Sequence, residues 1–277
     1  MSPPEDSYGS LKRLRFCERI IAQQNPRLVL DVGCGTGAHL TRPLAERFPA
    51  ARFVGIDRDE RSIAFARAAQ PPANLSFATE EALADYRDVD LIIASEVVEH
   101  VEAPASFLAT LRARLAESGT MIVTLPNGRG PFELAALVQA LLQAAGLLGA
   151  LRRAKRAIAG GAPVDATGPV NTLAESPHIN FFTYSQVRAL FEATGLRIAE
   201  YQPRTFLCGF GFDPLVHAAG LARWNARVAD SLPAWLASAW MFRLERAAAR
   251  GAAPEPRGAF TRLRRWLNQH GALAATS

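Results

Sequence analysis

Short apolar runs alternate with amphipathic segments along the first 130 residues. The apolar runs lie at residues 28–30, 53–56, 75–77, 91–94 and 121–124. Segments with helical spacing lie at residues 11–24, 40–48, 61–69 and 107–115. Continuous apolar runs are typical of strands buried on both faces, and their alternation with helices predicts βαβ units around a parallel sheet.

This rhythm changes after residue 130. An apolar stretch over residues 134–151 is followed directly by four cations, Arg152, Arg153, Lys155 and Arg156. Its length is at the lower limit for a membrane span, but it lies between elements of one sheet, so we expect no transmembrane helix. We predict inserted helices over residues 133–158 and 212–231 instead.

The remaining elements follow from local signals. The spacing of Thr183 and Gln186 is that of a capping box, which predicts a helix through Phe191, and Gly195 is placed to end it. Apolar runs predict strands at residues 196–201 and 237–245, and a basic helix over about 259–269.

The composition is that of an ordinary globular protein. Of the 277 residues, 49% are apolar and 21% charged, which excludes a disordered or fibrous chain. The three cysteines are too far apart to form a disulfide framework or a zinc knuckle, and residues 1–6 lack the features of a signal peptide. We therefore expect a cytoplasmic protein.

The positive charge lies in the second half of the chain. Residues 1–130 carry 15 basic and 17 acidic side chains, whereas residues 131–277 carry 16 basic and 9 acidic side chains, so the net positive charge comes from the second range. A basic half suits an anionic membrane surface, an anionic substrate or nucleic acid. Since the sequence has no zinc finger, basic recognition helix or aromatic-and-basic sheet motif, we expect no nucleic-acid partner.

The first strand leads into a glycine-rich loop, Asp31-Val32-Gly33-Cys34-Gly35-Thr36-Gly37. Glycine has no Cβ, so a nucleoside ligand can approach such a backbone closely. Asp57 ends the next strand, where a carboxylate can accept hydrogen bonds from both ribose hydroxyls, although it could instead cap the following helix. Dinucleotide-binding folds use the same two elements, but Asp31 would repel a pyrophosphate and can reach a ligand ammonium group.

These residues resemble the first motif of class I S-adenosylmethionine-dependent methyltransferases. Residues 95–101, Ser-Glu-Val-Val-Glu-His-Val, resemble the fourth-strand motif of a subset that includes the ubiquinone-biosynthesis O-methyltransferases. The resemblance covers residues 26–130 well and 178–201 more loosely. It implies S-adenosyl-L-methionine as the cofactor and an α/β, Rossmann-like fold whose seven-stranded sheet is mostly parallel, with an antiparallel last strand.

The resemblance also implies a set of cofactor-binding residues. They are Asp31, Gly33, Cys34, Gly35, Gly37, Asp57, Arg58, Glu80 and Glu96. Asp31 and the glycine backbone would hold the methionine part, Asp57 the ribose, and Glu80 the adenine edge. Arg58 would lie beside the adenine, Glu96 would line the pocket or orient its loop, and Cys34 would be a small filler rather than a nucleophile.

The domain boundaries follow from the extent of the resemblance. We expect a methyltransferase domain over residues 1–250 with helical insertions at about 131–175 and 212–231. A linker and the basic C-terminal helix would occupy residues 251–277.

His100 is the candidate catalytic residue. A histidine near the transferred methyl group can take the proton of a substrate hydroxyl, because its unperturbed pKa lies near 6.5; a purely structural histidine is the alternative. Glu96 and His100 would share a face on a helical turn and could be read as metal ligands. No third ligand is identifiable from the sequence, so we expect no metal. His178 is interpreted as a packing residue or as part of the acceptor pocket.

We therefore predict methyl transfer to the oxygen of a small or lipid-linked acceptor. The alternative is a non-catalytic S-adenosylmethionine-binding partner or scaffold, and a third candidate is a nicotinamide-dependent oxidoreductase. The segment after the fifth strand must cover the acceptor. Its apolar stretch and its basic end suit an apolar molecule with an anionic or polar head, and they suggest contact with an anionic membrane surface.

Overall fold

The computed structural model describes residues 9–144, 178–209, 212–254 and 258–273. The strands are β1 (Leu28–Val32), β2 (Arg52–Asp57), β3 (Leu75–Thr79), β4 (Val89–Ser95), β5 (Leu115–Pro126), β6 (Leu196–Pro203) and β7 (Ala239–Arg246). The helices are α1 (Ser10–Gln24), α2 (Thr41–Arg47), α3 (Glu60–Ala68), α4 (Pro104–Arg114), α5 (Pro131–Ala144), α6 (Tyr184–Ala193), α7 (Phe212–Ala218), α8 (Ala222–Val228) and α9 (Ala259–Leu273). Short 3₁₀ turns occupy Glu80–Asp85, Ala229–Ser231 and Ala234–Leu236.

The strands form one seven-stranded sheet in the order β3-β2-β1-β4-β5-β7-β6. The pairs from β3 through to β5 are parallel, whereas β7 runs antiparallel to both of its neighbours, β5 and β6. This confirms the predicted α/β fold with an antiparallel last strand, which lies between two other strands rather than at the edge.

The sheet is buried on both faces, as its apolar strands predict. Successive side chains of a strand point to opposite faces, so Leu30 lies in one hydrophobic cluster and its neighbour Val29 in another. The first cluster includes side chains of α4 and α6, and the second includes those of α1, α2 and α3. The sheet is thus the middle of three layers.

The ends of α6 confirm two local predictions. Thr183 and Gln186 form the capping box, and Gly195 after the helix has a φ of +71°, a left-handed conformation that favours glycine. A Cβ at Gly195 would also lie 2.8 Å from Nε of Arg112, so the turn is both sterically and conformationally specified.

The predicted insertions are confirmed only in part. Helix α5 begins at Pro131, two residues earlier than expected, and the rest of the 131–175 insertion, with its four cations, lies outside the described residues. The helical region predicted at 212–231 is confirmed, and Gly220 with φ +65° divides it into α7 and α8. In the described part of the chain, no helix is long and apolar enough to cross a membrane.

Candidate functional site

The carboxyl ends of β2, β1 and β4 meet at one edge of the sheet because these strands are adjacent and parallel. The edge therefore brings together Asp57 at the end of β2, the glycine loop after β1, and Glu96 after β4. Ligands of open α/β sheets bind at this edge, near the point where the strand order reverses. Here the reversal lies between β1 and β4.

The three loop glycines have different roles. All have positive φ, of 80° at Gly33, 56° at Gly35 and 68° at Gly37. A Cβ would lie 2.3 Å from Cγ2 of Val97 at Gly33 and 2.6 Å from the Phe77 ring at Gly37, but it would meet no described atom within 4 Å at Gly35. Gly33 and Gly37 therefore allow the loop to pack, and Gly35 leaves open the space that a ligand needs.

We expect Gly33→Ala to destabilise the fold by about 2 kcal/mol, because a left-handed alanine is strained and its Cβ overlaps Val97. Gly35→Ala is the matched control, since it adds the same strain without the overlap. Urea denaturation measures the two stabilities, and calorimetry with S-adenosylhomocysteine should show the larger loss of affinity for Gly35→Ala. Equal destabilisation of both variants would contradict the packing role of Gly33.

Asp31 has an oxygen suited to a cationic ligand. Its side chain is buried, Oδ2 accepts a hydrogen bond of 2.6 Å from Thr41 Oγ1, and Oδ1 has no hydrogen-bond partner among the described residues. Burial raises the pKa of Asp31 to about 6, although the Thr41 bond and Arg13 act against the increase. A ligand ammonium group would satisfy Oδ1 and favour the ionised carboxylate.

Asp57 is bound to the glycine loop. Its Oδ2 accepts a 2.7 Å hydrogen bond from the Gly35 backbone N–H, and its Oδ1 accepts one of 2.9 Å from Asp59 N–H. The alternative interpretation of Asp57 as a helix cap is wrong, since Asp59 caps α3 by accepting from the N–H groups of Arg61 and Ser62. Asp57 thus connects the loop after β1 to the end of β2.

The other expected cofactor contacts lie on the same edge. Arg58 directly follows β2, and Glu80 begins the 3₁₀ turn after β3; both side chains are exposed. Their contact with an adenine stays a prediction. Burial raises the pKa of the Cys34 thiol well above its usual range, which agrees with a filler rather than a nucleophile.

Glu96 belongs to a charged network that the sequence did not reveal. It has a φ of +59°, and its carboxylate lies 3.0 Å from Arg204 Nη1 and accepts a 2.7 Å hydrogen bond from Thr124 Oγ1. Burial alone would raise its pKa, but Arg204, Arg13 and Thr124 lower it to about 2. No motif marks these arginines, because one comes from α1 and the other from the segment after β6.

The expected helical turn between Glu96 and His100 is wrong. The left-handed residue Glu96 ends β4, and residues 98–100 form a turn, so the i, i+4 argument does not apply. His100 is half-buried, and its Nε2 lies 3.9 Å from Oε1 of Glu99. Its ring centroid lies 4.9 Å from that of His178 in an edge-to-face arrangement.

Glu99 is 1% exposed, and neither carboxylate oxygen has a hydrogen-bond partner among the described residues. Burial and the negative charge of Glu96 raise the pKa of Glu99 to about 8. The buried carboxyl group of Glu99 is therefore mostly neutral at pH 7.

The raised pKa of Glu99 predicts a pH-dependent stability. The neutral form stabilises the folded chain fully below the ordinary pKa of about 4.5, and this contribution is lost as pH rises through about 8. We expect Glu99→Gln, which stays neutral, to gain stability relative to the wild type between pH 5 and 8. Thermal denaturation across this range tests it, and parallel pH profiles would contradict it.

His178 was interpreted mainly as a packing residue, but it is ion-paired. Its Nδ1 lies 2.5 Å from Oε1 of buried Glu133, whose Oε2 accepts a 2.7 Å hydrogen bond from Arg264 Nη2. Burial lowers the pKa of His178, but the bond and charge of Glu133 outweigh it, and the pKa is raised. The sequence pattern does not indicate these ion pairs, because Glu133 lies on α5, His178 in the segment before α6, and Arg264 on α9.

The structure brings together a different set of potential metal ligands, which does not include Glu96. One ligand atom from each of Glu99, His100 and His178 lies within 4.8 Å of the others. Spacing alone does not identify a metal site, and the expected absence of a metal stays a prediction.

Comparison with known proteins gives one family. Residues 10–201 match the family model described as a methyltransferase domain. Trans-aconitate 2-methyltransferase of Methylobacterium radiotolerans is 32% identical over 119 residues, which are 42% of this chain and 45% of that protein. Ubiquinone biosynthesis O-methyltransferase of Roseobacter denitrificans is 36% identical over 104 residues, 36% of this chain and 41% of that protein. The chain thus spans less than half the length of these curated relatives.

Solved structures share the fold at low sequence identity. An S-adenosylmethionine-dependent methyltransferase from Mesorhizobium loti aligns with a TM-score of 0.50 and 18% identity over 83% of this chain and 96% of that chain. Magnesium protoporphyrin IX methyltransferase from Synechocystis PCC 6803, with bound SAH, aligns with a TM-score of 0.50 and 15% identity over 86% of this chain and 84% of that chain.

Proposed function

This chain belongs to the methyltransferase-domain family, and from that premise we propose that it methylates an oxygen atom of a small or lipid-linked acceptor. It is a class I methyltransferase, and its cofactor is S-adenosyl-L-methionine. When bound, this cofactor supplies an electrophilic methyl group on a sulfonium ion. The protein must hold the acceptor in line and remove its proton.

The residues at the sheet edge fit the parts of this cofactor. Asp31 Oδ1 would accept from the ammonium group, and Asp57 would accept from the ribose hydroxyls. Arg204, which is buried, and Arg13, which is half-buried, each keep an Nε without a hydrogen-bond partner among the described residues, which suits them to the carboxylate of the cofactor. Gly35 leaves the space open.

The position of His100 is the observation that supports oxygen as the methylated atom of the acceptor. A hydroxyl acceptor must lose a proton, and His100 is the half-buried base on the loop that follows β4. The neighbouring Glu99 is mostly neutral at pH 7, so it is a poor proton acceptor there. We therefore propose that the His100 imidazole accepts the proton of the acceptor hydroxyl.

An acceptor screen with methyl-labelled cofactor tests this proposal directly. Hydroxyl, carboxyl and amine acceptors form its arms, each with and without a prenyl or lipid tail. Label on an amine alone would overturn the assignment to oxygen. Calorimetry with S-adenosylhomocysteine and with NAD separates the rivals: NAD binding alone would favour an oxidoreductase, and binding without turnover on any acceptor would favour a scaffold.

The lipid-linked part of the proposal is supported by exposed apolar side chains on α5. Leu134, Val138 and Leu141 recur at helical spacing, and each is about half exposed. The four cations at residues 152–156 follow in sequence. An apolar face next to cations is the pattern of a helix that lies on an anionic membrane surface.

We expect the protein to sediment with anionic liposomes at physiological salt, since each cation near the surface contributes about 1 kcal/mol. Binding should be lost when the four cations are replaced by glutamine, and weakened in the double variant Val138→Glu, Leu141→Glu. Phe65→Glu, which changes an exposed apolar residue on α3, is the matched control. Wild-type protein that stays in the supernatant would contradict membrane contact.

A further inference from the structure

A chain of charged side chains runs from the C-terminal helix to the candidate base. Arg264 on α9 donates to Glu133 on α5, and Glu133 pairs with His178, whose ring lies against that of His100. Arg264 is 3% exposed and Glu133 is 0% exposed. Burying paired ions is a weak source of stability, because desolvation offsets most of their attraction.

We propose that Arg264, Glu133 and His178 form a relay of positioning residues for His100, and that the positive charge at its His178 end keeps the His100 imidazole in its neutral, proton-accepting form. This inference rests on the proposed role of His100 as the base. It assigns a role in the reaction to the C-terminal helix, which lies outside the residues that match the family.

The geometry holds His178 in one place. Glu133 fixes its Nδ1 at 2.5 Å, and the rings of Phe132 and Phe181 lie with centroids 6.0 and 6.5 Å from its own. The guanidinium of Arg264 also lies 5.3 Å from the Phe181 ring centroid. One arginine thus contacts both the carboxylate and the aromatic ring that surround His178.

A second set of contacts fixes the loop that carries His100. Asn180 donates from Nδ2 to the carbonyl oxygens of Val98, at 3.1 Å, and Val101, at 2.6 Å. Arg265 on α9 in turn donates to the Ile179 carbonyl at 2.5 Å and to Asn180 Oδ1 at 3.2 Å. The C-terminal helix therefore contacts both the carboxylate that binds His178 and the asparagine that holds the His100 loop.

The charges around this pair favour one positive imidazole rather than two. Glu133 faces His178 from α5, Glu99 faces both rings from the loop after β4, and Glu96 acts on His178 through space. The pair with Glu133 holds the proton on His178, whereas buried Glu99 is mostly neutral at pH 7 and provides little negative charge to stabilise a second imidazolium. Two like charges this close disfavour each other, so His100 stays neutral.

The test is an NMR titration of the histidine side chains in protein labelled with ¹³C-histidine, which needs no acceptor. The His100 and His178 signals are assigned by comparison with His100→Ala and His178→Asn, and each titration is run with and without EDTA. In the wild type we expect His178 to stay protonated to a higher pH than a free histidine side chain, whose pKa lies near 6.5. In Glu133→Gln its midpoint should fall, and that of His100 should rise by at least about 0.5 pH unit.

Arginine variants separate this charge effect from a structural one. In Arg264→Gln the Glu133 carboxylate loses the cation that competes with His178, so the His178 midpoint should rise rather than fall, and in Arg264→Lys, which keeps the charge, it should stay close to the wild-type value. Arg265→Gln is the control for the His178 midpoint, which should stay unchanged, because this variant removes contacts of the same helix to the same segment but no contact to Glu133. Thermal denaturation confirms that each variant is folded.

Three results would overturn the proposal. They are a neutral His178 in the wild type, a His100 midpoint that is the same in folded Glu133→Gln as in the wild type, and midpoints that depend on EDTA, which would indicate a bound metal. The titration is independent of the proposed function: if His100→Ala keeps full activity, the base role fails whatever the titration shows. If the base role holds, the acid limb of the pH–kcat profile should shift with the His100 midpoint.

Discussion

Replacing His100 with alanine should lower turnover by about 100-fold or more, which is the usual contribution of a general base. Affinity for S-adenosylhomocysteine should change little, because His100 is not among the residues assigned to the cofactor. Initial rates on an acceptor from the labelled-cofactor screen measure the first effect, and calorimetry measures the second.

The matched control is His217→Ala, which removes an exposed histidine on α7. A hydroxyl acceptor that is still methylated at near wild-type rate by His100→Ala would show that the proton leaves to water and that His100 is structural. An equal loss of activity in both variants would point to damage to the fold rather than to the base.

Replacing Asp57 with alanine should weaken cofactor binding by about 1.5–3 kcal/mol, the range for hydrogen bonds to a charged group. This corresponds to an increase in Kd of about 10- to 150-fold. The variant loses the proposed ribose contact, and it also loses the bond that fixes Gly35 at 2.7 Å. Calorimetry with S-adenosylhomocysteine measures the change.

Two variants divide this effect into its parts. Asp57→Asn keeps an oxygen that can accept from Gly35 but removes the charge, so it should lose less affinity than alanine. Asp59→Ala removes the cap of α3 from the same loop and should cost about 1 kcal/mol of stability with little change in affinity. Wild-type affinity in Asp57→Ala would exclude the ribose role.

Two carboxyl groups near the proposed base, those of Glu96 and Glu99, differ in their protonation state at pH 7. Glu96 is held ionised by two arginines, and Glu99, three residues later, is kept mostly neutral at pH 7 by burial. Two carboxyl groups on one loop thus have pKa values pushed apart by their surroundings, an arrangement that is common at catalytic sites.

The cofactor half of the site was predictable from the sequence because its signals are local. A buried strand followed by glycines at 33, 35 and 37 specifies a tight turn, and the carboxylates of Asp31 and Asp57 follow from their positions at strand ends. Parallel pairing of adjacent strands then brings those ends together whatever the rest of the chain does. For the same reason the capping box at Thr183 and the ending of α6 at Gly195 were predicted correctly.

The catalytic half was predicted only in part. The motif pointed to His100, but the helical turn expected there was wrong, because the left-handed Glu96 redirects the chain after β4. Gly220, in the segment after β6, likewise divides the helical region predicted at 212–231 into two helices. A single left-handed residue changes the chain direction without altering the hydrophobic pattern around it.

The sequence by itself thus determined the α/β sheet, the glycine loop and the acids at its edge, since each depends on the chemistry of neighbouring residues. Only the tertiary structure decided the surroundings of His100. His178, Glu133 and Arg264 are separated by 45 and 131 positions, and Arg204 meets Glu96 across more than a hundred. Residues so far apart in the sequence produce no periodicity or motif spacing that would indicate their contact. They meet only because the packing of helices and strands brings their charged groups together.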